Sequence, residues 1–199
     1  MRRLIRSRAA MIGLAILVFW GLVALFAPWL APYPPTEIDF AATQDPSPSR
    51  AHPLGTDMLG RDLLSRLIHG ARTTYIVVPL AIGSAFLLGG AAGLAAGWYG
   101  GWIDAAVSRA GDVMLSFPAL VLYIILITVF GPSLWNIVIA VPLAYAPGVA
   151  RLMRGQVLAV KELDYVLAAR AGGESGPRIM TVEILPNVGA PLVVDLCLR

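Results

Sequence analysis

Lysine, histidine and cysteine are nearly missing from this chain, and charge as a whole is thin. Of its 199 residues only 14% are Asp, Glu, Lys or Arg and 58% are hydrophobic, whereas a soluble domain carries about a quarter charged residues. That imbalance, with a mean hydropathy of +0.76, excludes an ordinary soluble domain and predicts a chain embedded in a lipid bilayer. A lone cysteine, Cys197, excludes an internal disulfide. With His52 and His69 as the only histidines, no cluster has metal-ligand spacing and no metal site is expected. Lys161, the only lysine, has no glycine-rich run before it. The phosphate cradle GxxxxGK-Ser/Thr is therefore absent, and neither a cofactor nor an enzyme activity is expected. The net charge is only +3, with arginines scattered among apolar runs, so no nucleic-acid partner is expected.

What the chain does have is long uncharged runs. Ala9 to Leu30 is free of charge, which at a rise of about 1.5 Å per residue crosses a hydrocarbon core of about 30 Å. Arg2, Arg3, Arg6 and Arg8 precede it, as they would in a signal peptide. The run exceeds a usual signal core, however, and further runs follow, so an uncleaved first span is predicted. Thr73 to Ile103 is a second run; Val113 to Ala150 is a third, too long for one crossing and interrupted at Gly131-Pro132-Ser133. The predicted fold is all-α, a polytopic membrane helical bundle. Residues 1–30 form an N-terminus and first span, 31–74 a segment outside the bilayer, and 75–199 a core. Within that core, spans are expected at 75–98, 108–130 and 134–151, with a loop at 152–186 and the start of a fifth span at 187–199. Pro118, Pro142 and Pro147 remove backbone donors and predict kinks.

Placing the N-terminus in the cytoplasm puts the four early arginines, Arg109, Arg151, Arg154, Lys161, Arg170 and Arg178 on the inside. Arg50, Arg61, Arg66 and Arg72 then lie outside, and the bias of basic residues favours this orientation. It makes 31–74 external and Gly97 to Asp112 a cytoplasmic turn. In the external segment, the prolines near residues 32–48 predict an extended connector. Thr56 or Asp57 is placed to cap a short amphipathic helix ending before Gly70, with Leu63, Leu64, Leu67 and Ile68 on one face. His52 reads as a loop or interface residue rather than a ligand. Asp57, Arg61 and Asp62 either brace that helix or meet an extracytoplasmic partner.

Gly89, Gly93 and Gly97 continue a small-residue stripe from Ala85 to Gly101 at every fourth position, which lets another helix approach closely, within the bundle or from another subunit. Arg109 and Asp112 are spaced to pair along one helix.

The loop DYVLAARAGGESGPRIMTVEILPN, Asp164 to Asn187, is the longest polar stretch inside the core. Residues 161–171 are good helix formers, Gly172-Gly173 ends them, and Ser175-Gly176-Pro177 opens a second helix with a serine cap and a first-turn proline. A helix, a turn and a helix with small alanines is a surface suited to lodging in a partner's groove.

Here the residues resemble a family. Ala168-Ala169, Gly173 and Leu185-Pro186 are similar to the EAA loop of membrane subunits of ATP-binding-cassette importers, although Leu167 stands where that motif has Glu. HPLGTDMLGRDLLSRLIHGAR, His52 to Arg72, resembles the external segment of dipeptide, oligopeptide and nickel permease subunits, including Gly55 and Gly60. YGGWIDAAVSRAGDVMLSFPAL, Tyr99 to Leu120, is similar to the start of their third span. The resemblance implies a permease subunit in a bacterial or archaeal cytoplasmic membrane. It implies cytoplasmic ATPase subunits docking at Leu167, Ala168, Ala169, Gly173, Ser175, Leu185 and Pro186. It also implies a second homologous permease subunit, an extracytoplasmic substrate-binding protein, and peptides, nickel or other small solutes as cargo. Family members continue through a fifth and sixth span, so a form truncated before the last two spans is expected. The rival readings are an ion-driven secondary carrier, which needs ionisable residues deep in its spans, and a non-transporting membrane scaffold.

Overall fold

A computed structural model of the chain describes residues 7–43 and 45–198; Arg2, Arg3, Arg6 and Arg199 lie outside the described residues. Among these the architecture is all-helical, apart from one isolated bridge between Thr56 and Asp62. Among the described residues three helices are long and apolar enough to cross a membrane, and a bent pair makes a fourth span if counted as one. The chain is thus an all-α membrane helical bundle. It divides into two compact units, Met1–Ile76 and Val77–Arg199.

In the first unit, α1 (Arg8–Leu25) opens where the Ser7 hydroxyl accepts from the Ala10 N–H, and its side chains are exposed almost throughout. A helix that is uncharged from residue 9 onward and buried only at Ala24 is what lipid, not water, would cover. A single turn, α2 (Ala27–Leu30), follows with Pro28 in its first turn. The connector then folds back on itself through residues 39–62. Gly55 and Gly60 have φ of +77° and +74°, conformations that disfavour any Cβ, and a Cβ at either would collide with a backbone carbonyl.

α3 (Leu63–Tyr99) is a 37-residue helix, about 55 Å long, well beyond a hydrocarbon core of about 30 Å. This corrects the expected short amphipathic helix: the chain does not stop at Gly70 but continues as one helix into the second apolar run. A single glycine costs about 1 kcal/mol, too little to interrupt so long a hydrogen-bonded ladder. The cap also differs from Thr56 or Asp57. Asp62 accepts from the Ser65 N–H at 2.7 Å.

In the second unit the expected turn from Gly97 to Asp112 is mostly helix. The reversal is confined to Gly100 and Gly101, whose φ values are +65° and +54°, and α4 (Gly101–Leu115) starts at once. It breaks by 82° into α5 (Ala119–Phe130) across Ser116-Phe117-Pro118. After Gly131, α6 (Leu134–Val160) is capped by the Ser133 hydroxyl and runs through Pro142 and Pro147 as one helix. It continues past the expected end at residue 151, so the loop begins as helix. Then come α7 (Asp164–Ala171), one turn of α8 (Gly176–Arg178), a π-helical stretch Ile179–Ile184 and α9 (Leu185–Leu198).

The glycine stripe seats α3 on α6. A Cβ at Gly89 would lie 2.8 Å from Val149 Cβ, one at Gly93 2.8 Å from Met153 Cβ, and one at Gly97 2.7 Å from Val157 Cβ. Real Cβ atoms do not approach so closely, so these helices meet at this distance only because hydrogen replaces a methyl. Gly101 takes no part; nothing lies within 4 Å of its Cβ position.

Candidate functional site

The elbow after α6 is built on the main buried cluster of the second unit. Val149, Met153 and Val157 of α6 meet Val166 of α7, Ile179 and Ile184 of the π-helical stretch, and Val188 and Leu192 of α9. Several of these are fully buried, and each such side chain contributes about 1.5–3 kcal/mol relative to exposure. The polar-looking stretch 164–187 is therefore a folded unit.

Its turn is closed by backbone hydrogen bonds. The Gly173 N–H donates to Arg170 O at 3.0 Å and the Glu174 N–H to Ala169 O at 3.1 Å, the reciprocal pair that ends a helix when the next residue is left-handed. Gly173 supplies that residue with φ +79°. Ser175 stands at the start of α8, but its side chain makes no capping bond, which corrects the expected serine cap. The Ile179 N–H donates to the Ser175 carbonyl instead.

The buried cluster divides the elbow into an inner and an outer face. Val166 is fully buried and Ala169 packs against the cluster. Leu167, Ala168, Gly173, Ser175, Leu185 and Pro186 are exposed. So are Leu163 and Val182, at 48% and 53%, which the sequence reasoning did not single out. Leu163, the N-cap of α7, and Leu167 are four residues apart on either side of the buried Val166, a spacing that could have identified them.

Two ties join the elbow to the end of α3. Arg170 places its guanidinium carbon 4.3 Å from the Trp98 ring centroid, and Lys161 Nζ lies 3.4 Å from the Gly97 carbonyl oxygen. Two further ion pairs join α4 to α6. Arg154 donates to Asp104 through Nε and, at 2.6 Å, through Nη2; Arg151 donates to Asp112 at 2.8 Å. The expected pairing of Arg109 with Asp112 is thus replaced by a contact between helices. The α4–α6 packing brings Arg151 to a carboxylate that the sequence alone places nearest Arg109. Pro147, Gly111 and Ser108 line a hollow of about 330 Å³ beside these pairs.

The residues of the 39–62 segment serve its own fold. Asp57 accepts from the Leu59 and Arg61 N–H groups, from Arg61 Nε at 2.8 Å and from Arg66 Nη1 at 2.8 Å. Its pKa is lowered chiefly by the Arg61 backbone hydrogen bond. His52 is buried between two carboxylates, with Nδ1 3.0 Å from Asp62 Oδ1 and Nε2 3.3 Å from Asp39 Oδ2. The Asp62 hydrogen bond raises the His52 pKa above 6.5, against the effect of burial and with help from Asp39. Burial pushes Asp62 up, but hydrogen bonds from Ser65 and His52 outweigh it and hold its carboxyl below the usual 3.8. Asp39 is lowered by His52 first and by the Ala41 and Ala42 N–H groups. Asp39 was not legible as a partner because it lies 13 residues from His52. At the surface of this segment stand Met58, 96% exposed, with Leu59 and Phe40. Among the described residues no group of His, Cys, Asp and Glu is placed to hold a metal ion.

The family model of binding-protein-dependent transport system inner membrane components matches residues 89–199, and that of the N-terminal transmembrane domain of oligopeptide transport permease C matches residues 1–53. The chain is 38% identical to the dipeptide transport system permease protein DppC of Alkalihalophilus pseudofirmus, over 99% of this chain and 64% of that protein. It is 35% identical to DppC of Haemophilus influenzae, over 96% and 66%, and 39% identical to the di/tripeptide transport system permease protein DppC of Pseudomonas aeruginosa, over 96% and 65%. The chain spans just under two thirds of the length of each of these relatives.

Proposed function

Because the chain belongs to the family of binding-protein-dependent transport system inner membrane components, we propose that it is a transmembrane subunit of an ATP-driven importer of peptides. Its elbow is where a separate, cytoplasmic ATPase subunit grips it. Peptides are the cargo suggested by the names that similar permeases carry. A second permease subunit would complete the pathway and an extracytoplasmic binding protein would deliver cargo. The N-terminus lies in the cytoplasm, which puts the elbow on the side where ATP is.

The observation that carries this reading is the two-faced elbow. A linker needs no buried underside, yet Val166, Ile179 and Ile184 fix this one from within. Leu163, Leu167 and Val182 remain uncovered outside it. A rigid projection with an apolar outer edge suits insertion into a groove, because little entropy is lost on ordering it. ATP-driven closure of the partner would then act through differential affinity for two states of the elbow, the only way a bound partner shifts an equilibrium. Gly89, Gly93 and Gly97 serve packing inside the subunit. Of the 39–62 segment, His52, Gly55, Asp57, Gly60, Arg61 and Asp62 hold the shape, while Met58, Leu59 and Phe40 are the surface offered to the binding protein. Ion-driven carriage is less suited: residues 9–25 of α1, 73–99 of α3 and all of α5 carry no Asp, Glu, Lys, Arg or His.

Co-purification of the ATPase subunit with the tagged permease tests this. Gly173→Pro cannot adopt φ +79° and loses the N–H bonded to Arg170. Membrane insertion is expected to persist while the ATPase is lost. Retention of the ATPase by this variant would overturn the docking assignment.

A further inference from the structure

Trp98, in the last turn of α3, sits between the two arms of the elbow. On one side Arg170, at the end of α7, lays its guanidinium 4.3 Å from the indole centroid. On the other, α8 begins at Gly176, where a Cβ would stand 2.9 Å from Trp98 Nε1. The Gly172-Gly173 reversal lies between these two contacts in sequence, so one ring reads both the arm before the turn and the arm after it. The indole also packs against the buried cluster beneath the elbow, and the neighbouring Gly97 carbonyl faces Lys161 Nζ.

We propose that Trp98 is a positioning residue through which movement of the elbow reaches α3, an inference that rests on the coupling reading above. The ring is rigid and has few rotamers to absorb a displacement. Tilting α7 moves a cation across its face, where the attraction depends on the position of the charge over the quadrupole. Shifting α8 presses backbone against its edge, where no side chain intervenes to yield. Both push the same residue, and α3 is the helix whose glycine face is locked to α6. A ring that only filled space would be replaceable by any side chain of similar volume.

The test uses the assembled importer in proteoliposomes and reads peptide uptake per ATP hydrolysed, with co-purification of the ATPase as a separate measurement. Trp98→Leu keeps apolar bulk and loses the π face; Trp98→Phe keeps a π face. Trp98→Leu is expected to retain the ATPase while uptake per ATP falls about threefold to tenfold, the range corresponding to a partly buried cation–π contact. Trp98→Phe should recover most of it. Gly176→Ala, which leaves Trp98 in place but occupies its edge, should lower the same ratio, and it carries the test if Trp98→Leu fails to insert. An unchanged ratio in Gly176→Ala and in an inserted Trp98→Leu would overturn the role of Trp98. Failure of the docking reading is distinguished by Gly173→Pro, which does not alter the ring.

Discussion

Arg154 of α6 lies alongside the carboxylate of Asp104 on α4, with Nη2 2.6 Å from Oδ2 and Nε on Oδ1. The two are 50 residues apart in sequence and make the two-pronged contact that a guanidinium and a carboxylate favour. Asp104→Ala is expected to lower the stability of the solubilised protein by about 1–2 kcal/mol, an amount tempered by the partial exposure of both groups. Arg151→Ala, from the more exposed pair with Asp112, should change it by less than about 0.5 kcal/mol. Thermal unfolding of both variants, with the exchange Asp104→Arg plus Arg154→Asp, decides the matter. Equal losses from the two single variants would contradict the ranking.

The glycine face of α3 makes a sharper prediction because neighbouring glycines serve as controls. At Gly93 an added methyl would meet Met153 Cβ at 2.8 Å, whereas at Gly90 the nearest atom is Met153 Cε at 3.9 Å and at Gly83 nothing lies within 4 Å. Overpacking costs about 1–3 kcal/mol, while Gly→Ala in an open helical position gains up to about 1 kcal/mol. Gly93→Ala should therefore lower the unfolding temperature, and Gly90→Ala and Gly83→Ala should hold or raise it. A uniform response across the three would mean that α3 and α6 do not meet along this face.

How much of this was legible in the sequence depends on the range of the interaction. The uncharged runs, the fourth-residue glycine spacing and the helix-ending Gly172-Gly173 are local signals, and each corresponds to a helix, a close approach or a left-handed turn in the structure. Asp112 shows where local reading stops. Arg109 is near it in sequence, but the packing of α4 on α6 brings Arg151 to its carboxylate. The π-helical stretch at Ile179–Ile184 and the seat of Trp98 against Arg170 likewise depend on how the elbow folds back, which no periodicity encodes. Gly70 is the opposite case: a glycine there is only a weak helix breaker, and the surrounding 37-residue helix easily outweighs it.

The buried His52 gives the 39–62 segment a window of pH. Its pKa is raised above 6.5, so its contribution is complete below 6.5 and is lost as pH rises through the raised value. Asp39 and Asp62 are lowered below 3.8, so theirs is present above 3.8 and is lost as pH falls through the lowered values. Glu37 lines a hollow together with His52, Asp39 and Asp62 and adds negative charge beside the histidine. Hydrogen exchange of the amides at 49–62, corrected for intrinsic rates, should accelerate as pH rises above 6.5 and through the raised value of His52. His52→Gln should be loose throughout and insensitive to pH in that range. A flat profile in the unmodified protein would remove the histidine as the clasp.

The elbow predicts that two adjacent residues fail in different ways. Val166 is fully buried among Val157, Ile179 and Ile184, so Val166→Ala removes packing and should cost about 1–3 kcal/mol, seen as a lower unfolding temperature. Leu167 is 42% exposed, and a surface carboxylate there costs little folding energy, so Leu167→Asp should unfold at nearly the temperature of the unmodified protein. Burying that charge in a partner's apolar groove without a counterion costs several kcal/mol. Association with the ATPase subunit should therefore weaken by about a hundredfold or more for Leu167→Asp, measured by titrating the ATPase onto permease held in nanodiscs. Val166→Ala, at a temperature where it remains folded, should bind nearly as the unmodified protein does. If Leu167→Asp binds normally, the outward edge of α7 is not the gripped surface, and the well-packed underside would then be serving only the stability of the bundle.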